Sequence, residues 1–249
     1  MRTAGLDIGS RTIALVEMED GEISFSQVVD TTFDPLEQCR RLLEDRDFDL
    51  LVATGYGRHL AQANFAHRVV TEIKAFALGC HYLFPECRTI LDIGGQDTKA
   101  ISVGPRGKVV DFQMNDRCAA GTGKFLEVMA SALGLSLQGF GEVAMEANEE
   151  VKISSMCTVF AESEVTGLIA RGTPRPLIAR GLHEAVCDRA AALLKRVGVR
   201  RELVFAGGVA RNPCLKALLE ERLGFPLLVP ENPQIVGALG AALSAHEEA

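Results

Sequence analysis

The chain has 249 residues, 47% of them hydrophobic and 24% charged, a globular composition with room for one large domain or two ordinary lobes. A net charge of -7 argues against nucleic acid as the main partner, and no apolar run approaches the roughly 20 residues of a membrane helix. Met1-Arg2-Thr3-Ala4-Gly5-Leu6-Asp7 contains no apolar signal core, so a reducing cytoplasm is expected, where the seven cysteines are free, catalytic or metal-binding rather than paired.

Ala4 to Thr12 reads as a short strand and a turn, Ile13 to Met18 as a second strand, and Glu19-Asp20-Gly21 as a hairpin turn into Ile23 to Val29. The turn holds Asp7-Ile8-Gly9-Ser10. An aspartate there can handle a metal or its waters while glycine lets the backbone close on phosphate; an ordinary hairpin turn is the alternative. Pro35 to Glu44 reads as a helix with Leu36, Cys39, Leu42 and Leu43 on one face. Leu50 to Thr54 is a buried strand ending in Gly55-Tyr56-Gly57-Arg58, and His59 to Phe65 and Ile73 to Phe84 are helices. Cys39, Cys80 and Cys87 read as structural.

A second start repeats the first. Leu91-Asp92-Ile93-Gly94 echoes Leu6-Asp7-Ile8-Gly9, again between strands, and Gly95-Gln96 follows. Two similar halves are expected, 1–88 and 89–249, joined by ordinary secondary structure. Two such hairpins facing one another could clamp a phosphate chain. Val109 to Met114 is a strand delivering the chain to Asn115-Asp116-Arg117-Cys118-Ala119-Ala120-Gly121-Thr122-Gly123-Lys124, and an apolar-faced helix follows from Phe125. A glycine-rich turn opening a helix offers backbone N–H groups and a positive dipole end. The glycines suit phosphate and Cys118 suits a metal, so nucleotide and metal chemistry are expected from one loop. Cys157 also stands near a helix start, with Ser154 or Ser155 as the expected N-cap. Leu177 to Val197 is a long amphipathic helix with Cys187 in its core face. Val204 to Asn212 reads as strand, Gly207-Gly208 and helix, where two glycines would let an adenine or ribose lie on the backbone, or simply turn the chain; Cys214 in the next helix is structural. Leu227 to Val229 is a short strand. Val236 to Ala242 is a small-residue helix suited to close packing on a sheet.

Two Asp-x-Gly hairpins, a Gly-Gly turn and a small-residue last helix resemble the actin, hexokinase and Hsp70 ATPase superfamily, an α/β fold of two ribonuclease-H-like lobes with ATP in the cleft. Asp92 to Asp97, Met114 to Phe125 and Ser155 to Val165 narrow the resemblance to the activators of 2-hydroxyacyl-CoA dehydratases (component A) and the ATP-binding subunits of benzoyl-CoA reductases. Thr54 to Arg58, Gly207-Gly208-Val209 and Gly237 to Ala242 fit the same family. The resemblance implies an ATPase that drives a low-potential electron into a partner iron–sulfur dehydratase or reductase. It implies a homodimer sharing one [4Fe–4S] cluster on Cys118 and Cys157 of each chain, an anaerobic setting, and ferredoxin or flavodoxin as electron donor. ATP or ADP with Mg2+ would be held by Gly9, Ser10, Arg11, Thr12, Gly94, Gly95, Gln96, Ala120, Gly121, Thr122, Gly123, Lys124, Gly207, Gly208 and Gln234. Asp7 and Asp92 would hold magnesium through water and, with Gln96, serve catalysis. One departure stands out: the family's first loop carries a lysine where this chain has Ala14, and Arg11 is displaced from that place. The rivals are a small-metabolite kinase of the same superfamily, which gives no reason for Cys118 and Cys157, and a non-enzymatic nucleotide sensor, which predicts no iron.

Overall fold

The computed structural model describes residues 1–149, 151–153 and 157–246. In chain order its elements are β1 (Arg2–Ile8), β2 (Thr12–Glu19), β3 (Glu22–Asp30), α1 (Pro35–Leu43), β4 (Leu50–Gly55), α2 (Arg58–Asn64), β5 (Arg68–Val69), α3 (Glu72–Leu83), β6 (Thr89–Ile93), β7 (Thr98–Val103), β8 (Val109–Asn115), α4 (Gly123–Ala132), α5 (Leu137–Met145), α6 (Thr158–Ala170), α7 (Arg175–Val197), β9 (Leu203–Ala206), α8 (Pro213–Leu223) and α9 (Val236–Ser244). The chain packs as two compact units. One comprises Met1–Ile90, Ile101–Phe112 and Pro230–Ala249; the other comprises Leu91–Ala100 and Gln113–Val229.

The first unit is built on a five-stranded sheet in the order β3-β2-β1-β4-β5. β1, β2 and β3 run antiparallel, while β4 lies parallel to β1 and β5 parallel to β4. Alternation along the strands sends Leu6, Ile8, Ile13 and Leu15 to a core with Cys39 and Leu42 of α1 and Ala61 of α2. Ala14, Val16 and Met18 point the other way, onto Ala238, Leu239 and Ala242 of α9. The small residues of α9 serve close approach. A Cβ on Gly5 would collide with Ala238 O, and one on Gly240 with Ala75 O. α1 starts where Asp34 caps it, Oδ1 accepting the Glu37 N–H at 3.0 Å.

β8-β7-β6-β9 is the order of the four-stranded sheet. In the second unit α4 to α8 bury a large core of Phe125, Met129, Phe140, Val165, Leu182, Leu194, Phe205 and Leu219. Leu227 to Val229, expected as a strand, makes only a single bridge, Val204 to Leu228. Residues 137–145, for which no element was expected, form α5 behind a Ser136 cap. Among the described residues no single helix is long and apolar enough to cross a membrane. α4 and α5 together reach the required length, but they are bent by 79° and packed into the core.

Candidate functional site

The two Asp-x-Gly hairpins are built alike. In the first unit β1 ends at Ile8, and Gly9 N–H donates to Thr12 O at 3.0 Å. In the second, Gly94 N–H donates to Asp97 O at 2.9 Å. Each aspartate is walled by a glycine from the neighbouring strand's end. Gly55, the last residue of β4 beside β1, has φ +84°, and a Cβ there would strike Asp7 Oδ1 and Ile8 O. Gly207 has φ +83°, and a Cβ there would strike Asp92 Oδ1 and Ile93 O. Both positions therefore require glycine twice over, for conformation and for space. Gly237, in the first turn of α9, would likewise strike Asp7 Oδ2, so the positive end of that helix lies against the Asp7 carboxylate.

The hairpins differ in charge. Asp92 and Lys99 are both 1% exposed. Lys99 Nζ lies 3.1 Å from Asp92 Oδ2 and 2.8 Å from Asp97 Oδ2. The position seven residues after Asp7 is Ala14, which stands directly opposite Asp7 in the β1–β2 register and is buried. Arg11, at the tip of the first hairpin, is exposed.

The cysteine turn joins the second hairpin. Gly123 N–H donates to Gly94 O at 2.9 Å and Lys124 N–H to Gly95 O at 2.8 Å. Two N–H groups at the head of α4, expected to stand open for phosphate, are thus bonded to the hairpin carbonyls. Thr98 Oγ1 donates to Gly121 O at 2.7 Å, and Thr122 Oγ1 to Ala119 O at 2.6 Å. Ala120, Gly121 and Thr122 are buried; Gly123 and Lys124 are half-buried. Asn115 Nδ2 holds the other side of the turn, 2.8 Å from Cys118 O and 3.1 Å from Ala120 O.

Of the seven cysteines only Cys118 and Cys157 are exposed; Cys39, Cys80, Cys87, Cys187 and Cys214 are buried. Burial pushes the Cys39 and Cys187 thiols up to about 12 and Cys214 up to about 11. Those three are protonated at neutral pH, and a metal ligand must be a thiolate. Cys157 is itself the N-cap of α6, without a capping side-chain bond. Ser154 and Ser155, the expected caps, lie outside the described residues. Among the described residues no group of three or more His, Cys, Asp or Glu side chains could hold a metal ion within one chain.

Gly207 and Gly208 divide their work. Gly207 is buried against Asp92, while Gly208 is exposed at the start of a short 3-10 turn, Gly208–Arg211. The helix expected directly after the glycines begins only at Pro213. Gln96 is exposed at the second hairpin's tip, and Gln234 is half-buried just before α9. Asp7, Gly9 to Thr12 and Gln234 thus belong to the first unit; Asp92, Gly94 to Gln96, Cys118, Cys157, Ala120 to Lys124 and Gly207-Gly208 belong to the second. Sequence reasoning passed over Lys99, although the Asp92–Lys99 interval was visible beside Asp7–Ala14. It also passed over His183, Asn212 and Arg189, whose helix spacing reads only as core or surface.

Two Asp-x-Gly hairpins, each with a strand-end glycine closing on its aspartate, define an ATPase of the actin/hexokinase/Hsp70-like fold. The likeness reaches a glucokinase of the ROK family from Streptomyces griseus, 13% identical with a TM-score of 0.55 over 97% of this chain and 98% of that one, which speaks for the fold alone. The chain belongs to the BadF/BadG/BcrA/BcrD ATPase family, whose model matches residues 4–245. It is 40% identical to a 2-hydroxyisocaproyl-CoA dehydratase activator from Clostridioides difficile, over all of this chain and 96% of that protein. The crystal structure of an activator of the 2-hydroxyisocaproyl-CoA dehydratase from Clostridium difficile with bound ADPNP superimposes with a TM-score of 0.91 at 39% identity, over 98% of this chain and 94% of that one.

Proposed function

We propose that this protein is an ATP-driven electron-transfer activator, which reduces a partner iron–sulfur enzyme of the 2-hydroxyacyl-CoA dehydratase type through a [4Fe–4S] cluster shared by a homodimer. The carrying observation is the separation of the cysteines into five buried thiols and two exposed ones, each exposed one at or just before the head of a helix. The donor set fits such a cluster. Two thiolates per chain cannot complete a four-thiolate site, and a two-fold pair of chains supplies four. The positive helix ends would favour the anionic charge of that site. When bound, the cluster would supply a one-electron carrier of low potential.

The remaining roles follow from this chain's own groups. Gly9 to Thr12 and Gly94 to Gln96 would receive phosphate oxygens, and the exposed Gly208 beside Gly207 would receive the adenosine, with Gln234 contributing. Asp7 and Asp92 would position magnesium through water, and Gln96 the attacking water. Lys99 bridges Asp92 and Asp97, its ammonium within ion-pair distance of both. The hairpin that follows the γ-phosphate is bonded to the head of α4 through Gly94 O and Gly95 O. A shift of that hairpin therefore pulls on the turn carrying Cys118. The family relationship and the ADPNP-bound relative support the nucleotide part.

Iron and sulfide per chain after anaerobic purification test the reading, with Cys118→Ser and Cys157→Ser alongside. The expected result is about two irons per chain, lost in either variant. An iron-free protein whose ATPase activity ignores both substitutions would refute the cluster and favour a nucleotide sensor.

A further inference from the structure

Helix α7 carries two polar contacts that the proposed chemistry does not use, and they lie at its two functional neighbours. The first is His183, fully buried beside the Phe140 ring at 4.4 Å. Its bonds have a fixed direction. Leu215 N–H donates to Asn212 Oδ1 at 3.0 Å, which sets the amide and caps α8. Asn212 Nδ2 therefore faces His183 Nε2 at 3.0 Å as donor, and His183 Nδ1, 2.7 Å from Ala179 O, carries the ring proton. Asn212 is the residue that ends the Gly208–Arg211 turn, its own N–H donating to Val209 O at 2.9 Å. The second is Arg189, just under two turns further along. Its stem packs on Gly121, where a Cβ would lie 3.0 Å from Arg189 Cδ. Its guanidinium sits 5.8 Å over the Phe125 ring, and Nη1 donates to Ala185 O at 2.8 Å. Burial lowers the Arg189 pKa.

We propose that α7 is a rigid strut coupling the adenosine turn to the Cys118 turn, with His183 the positioning residue for the first and Arg189 for the second. This rests on the nucleotide reading above, and it adds a route that phosphate does not drive. A nucleoside seated on Gly208 would fix the Gly208–Asn212 segment; Asn212 would fix His183, and the helix would carry the restraint to Gly121. The hairpin route through Gly94 and Gly95 responds to phosphate, and Val209 of the adenosine turn also lies against Gly123, so adenosine removes the phosphate route and the Arg189 variants isolate the strut.

The test is amide hydrogen exchange on the full-length protein with saturating adenosine, and separately with Mg–AMPPNP. In the parent, adenosine should slow exchange in both 204–212 and 115–125. Arg189→Met should keep the first effect and reduce the second about fivefold. Arg189→Gln is the second variant, its thermal midpoint read alongside. His183→Leu should weaken adenosine about tenfold, and His183→Gln, whose carbonyl can accept the Asn212 bond, should restore it. Undiminished slowing of 115–125 in both Arg189 variants would overturn the strut. So would adenosine that protects neither segment up to its solubility, or 204–212 alone. If Mg–AMPPNP itself protects nothing, the nucleotide reading fails as well.

Discussion

His183 makes the second unit's stability depend on pH in a way that one substitution can remove. The imidazole is fully buried and accepts the Asn212 amide on Nε2, so a second ring proton would break that bond and bury a charge. Burial, partly opposed by the Ala179 carbonyl, lowers its pKa from 6.5 to about 4. The folded state thus refuses a proton that the unfolded chain accepts below pH 6.5, and acid favours unfolding across that window. The stabilisation is complete above pH 6.5 and falls as pH drops towards 4. The total is about 3 kcal/mol, at about 1.4 kcal/mol for each pH unit. Between pH 7.5 and pH 5 the loss is about 2 kcal/mol. His183→Gln can accept the same bond and does not titrate. Urea unfolding of both proteins at the two pH values should show the parent losing about 2 kcal/mol more than the variant. An identical loss in both would refute the neutral, accepting role of the ring.

Lys99→Met should destabilise the protein by about 3–5 kcal/mol, because Asp92 and Asp97 would then face each other without the buried cation; adding Asp92→Asn should recover part of that loss in the same urea experiment. Gly55→Ala and Gly207→Ala should each cost about 3 kcal/mol, combining backbone strain with collision on a carboxylate. Gly21→Ala, at φ +86° in open space, should cost only about 1 kcal/mol, and equal costs at all three sites would remove the collision argument.

Much of this architecture was legible in the residues. The Asp7-Ile8-Gly9-Ser10 and Glu19-Asp20-Gly21 turns marked β1 to β3, Pro35 marked the head of α1, and the echo of Leu6-Asp7-Ile8-Gly9 in Leu91-Asp92-Ile93-Gly94 marked the second hairpin. The small residues of α9 announced close packing, and Gly5 and Gly240 show how close. What stayed hidden was directional. A turn such as Gly121-Thr122-Gly123-Lys124 reads the same whether its N–H groups face a ligand or a neighbouring carbonyl, and here Gly94 O and Gly95 O take two of them. His183 was hidden because a histidine inside an amphipathic helix carries no sign of its partner, and Asn212 lies 29 residues away.

The two hairpins, so alike in backbone, differ where lysine meets alanine, and the difference sorts their electrostatics. Asp92 has a buried ammonium at 3.1 Å, so its charge is largely spent within the second unit. Asp7 faces the methyl of Ala14 across the sheet register and receives the amino-terminal turn of α9 instead. A helix end carries roughly half a charge against the whole charge of an ammonium, so in these contacts Asp7 meets less positive charge than Asp92 does. A lysine at position 14 would equalise the two hairpins. If magnesium is held as proposed above, Ala14 therefore favours Asp7 over Asp92 as its holder.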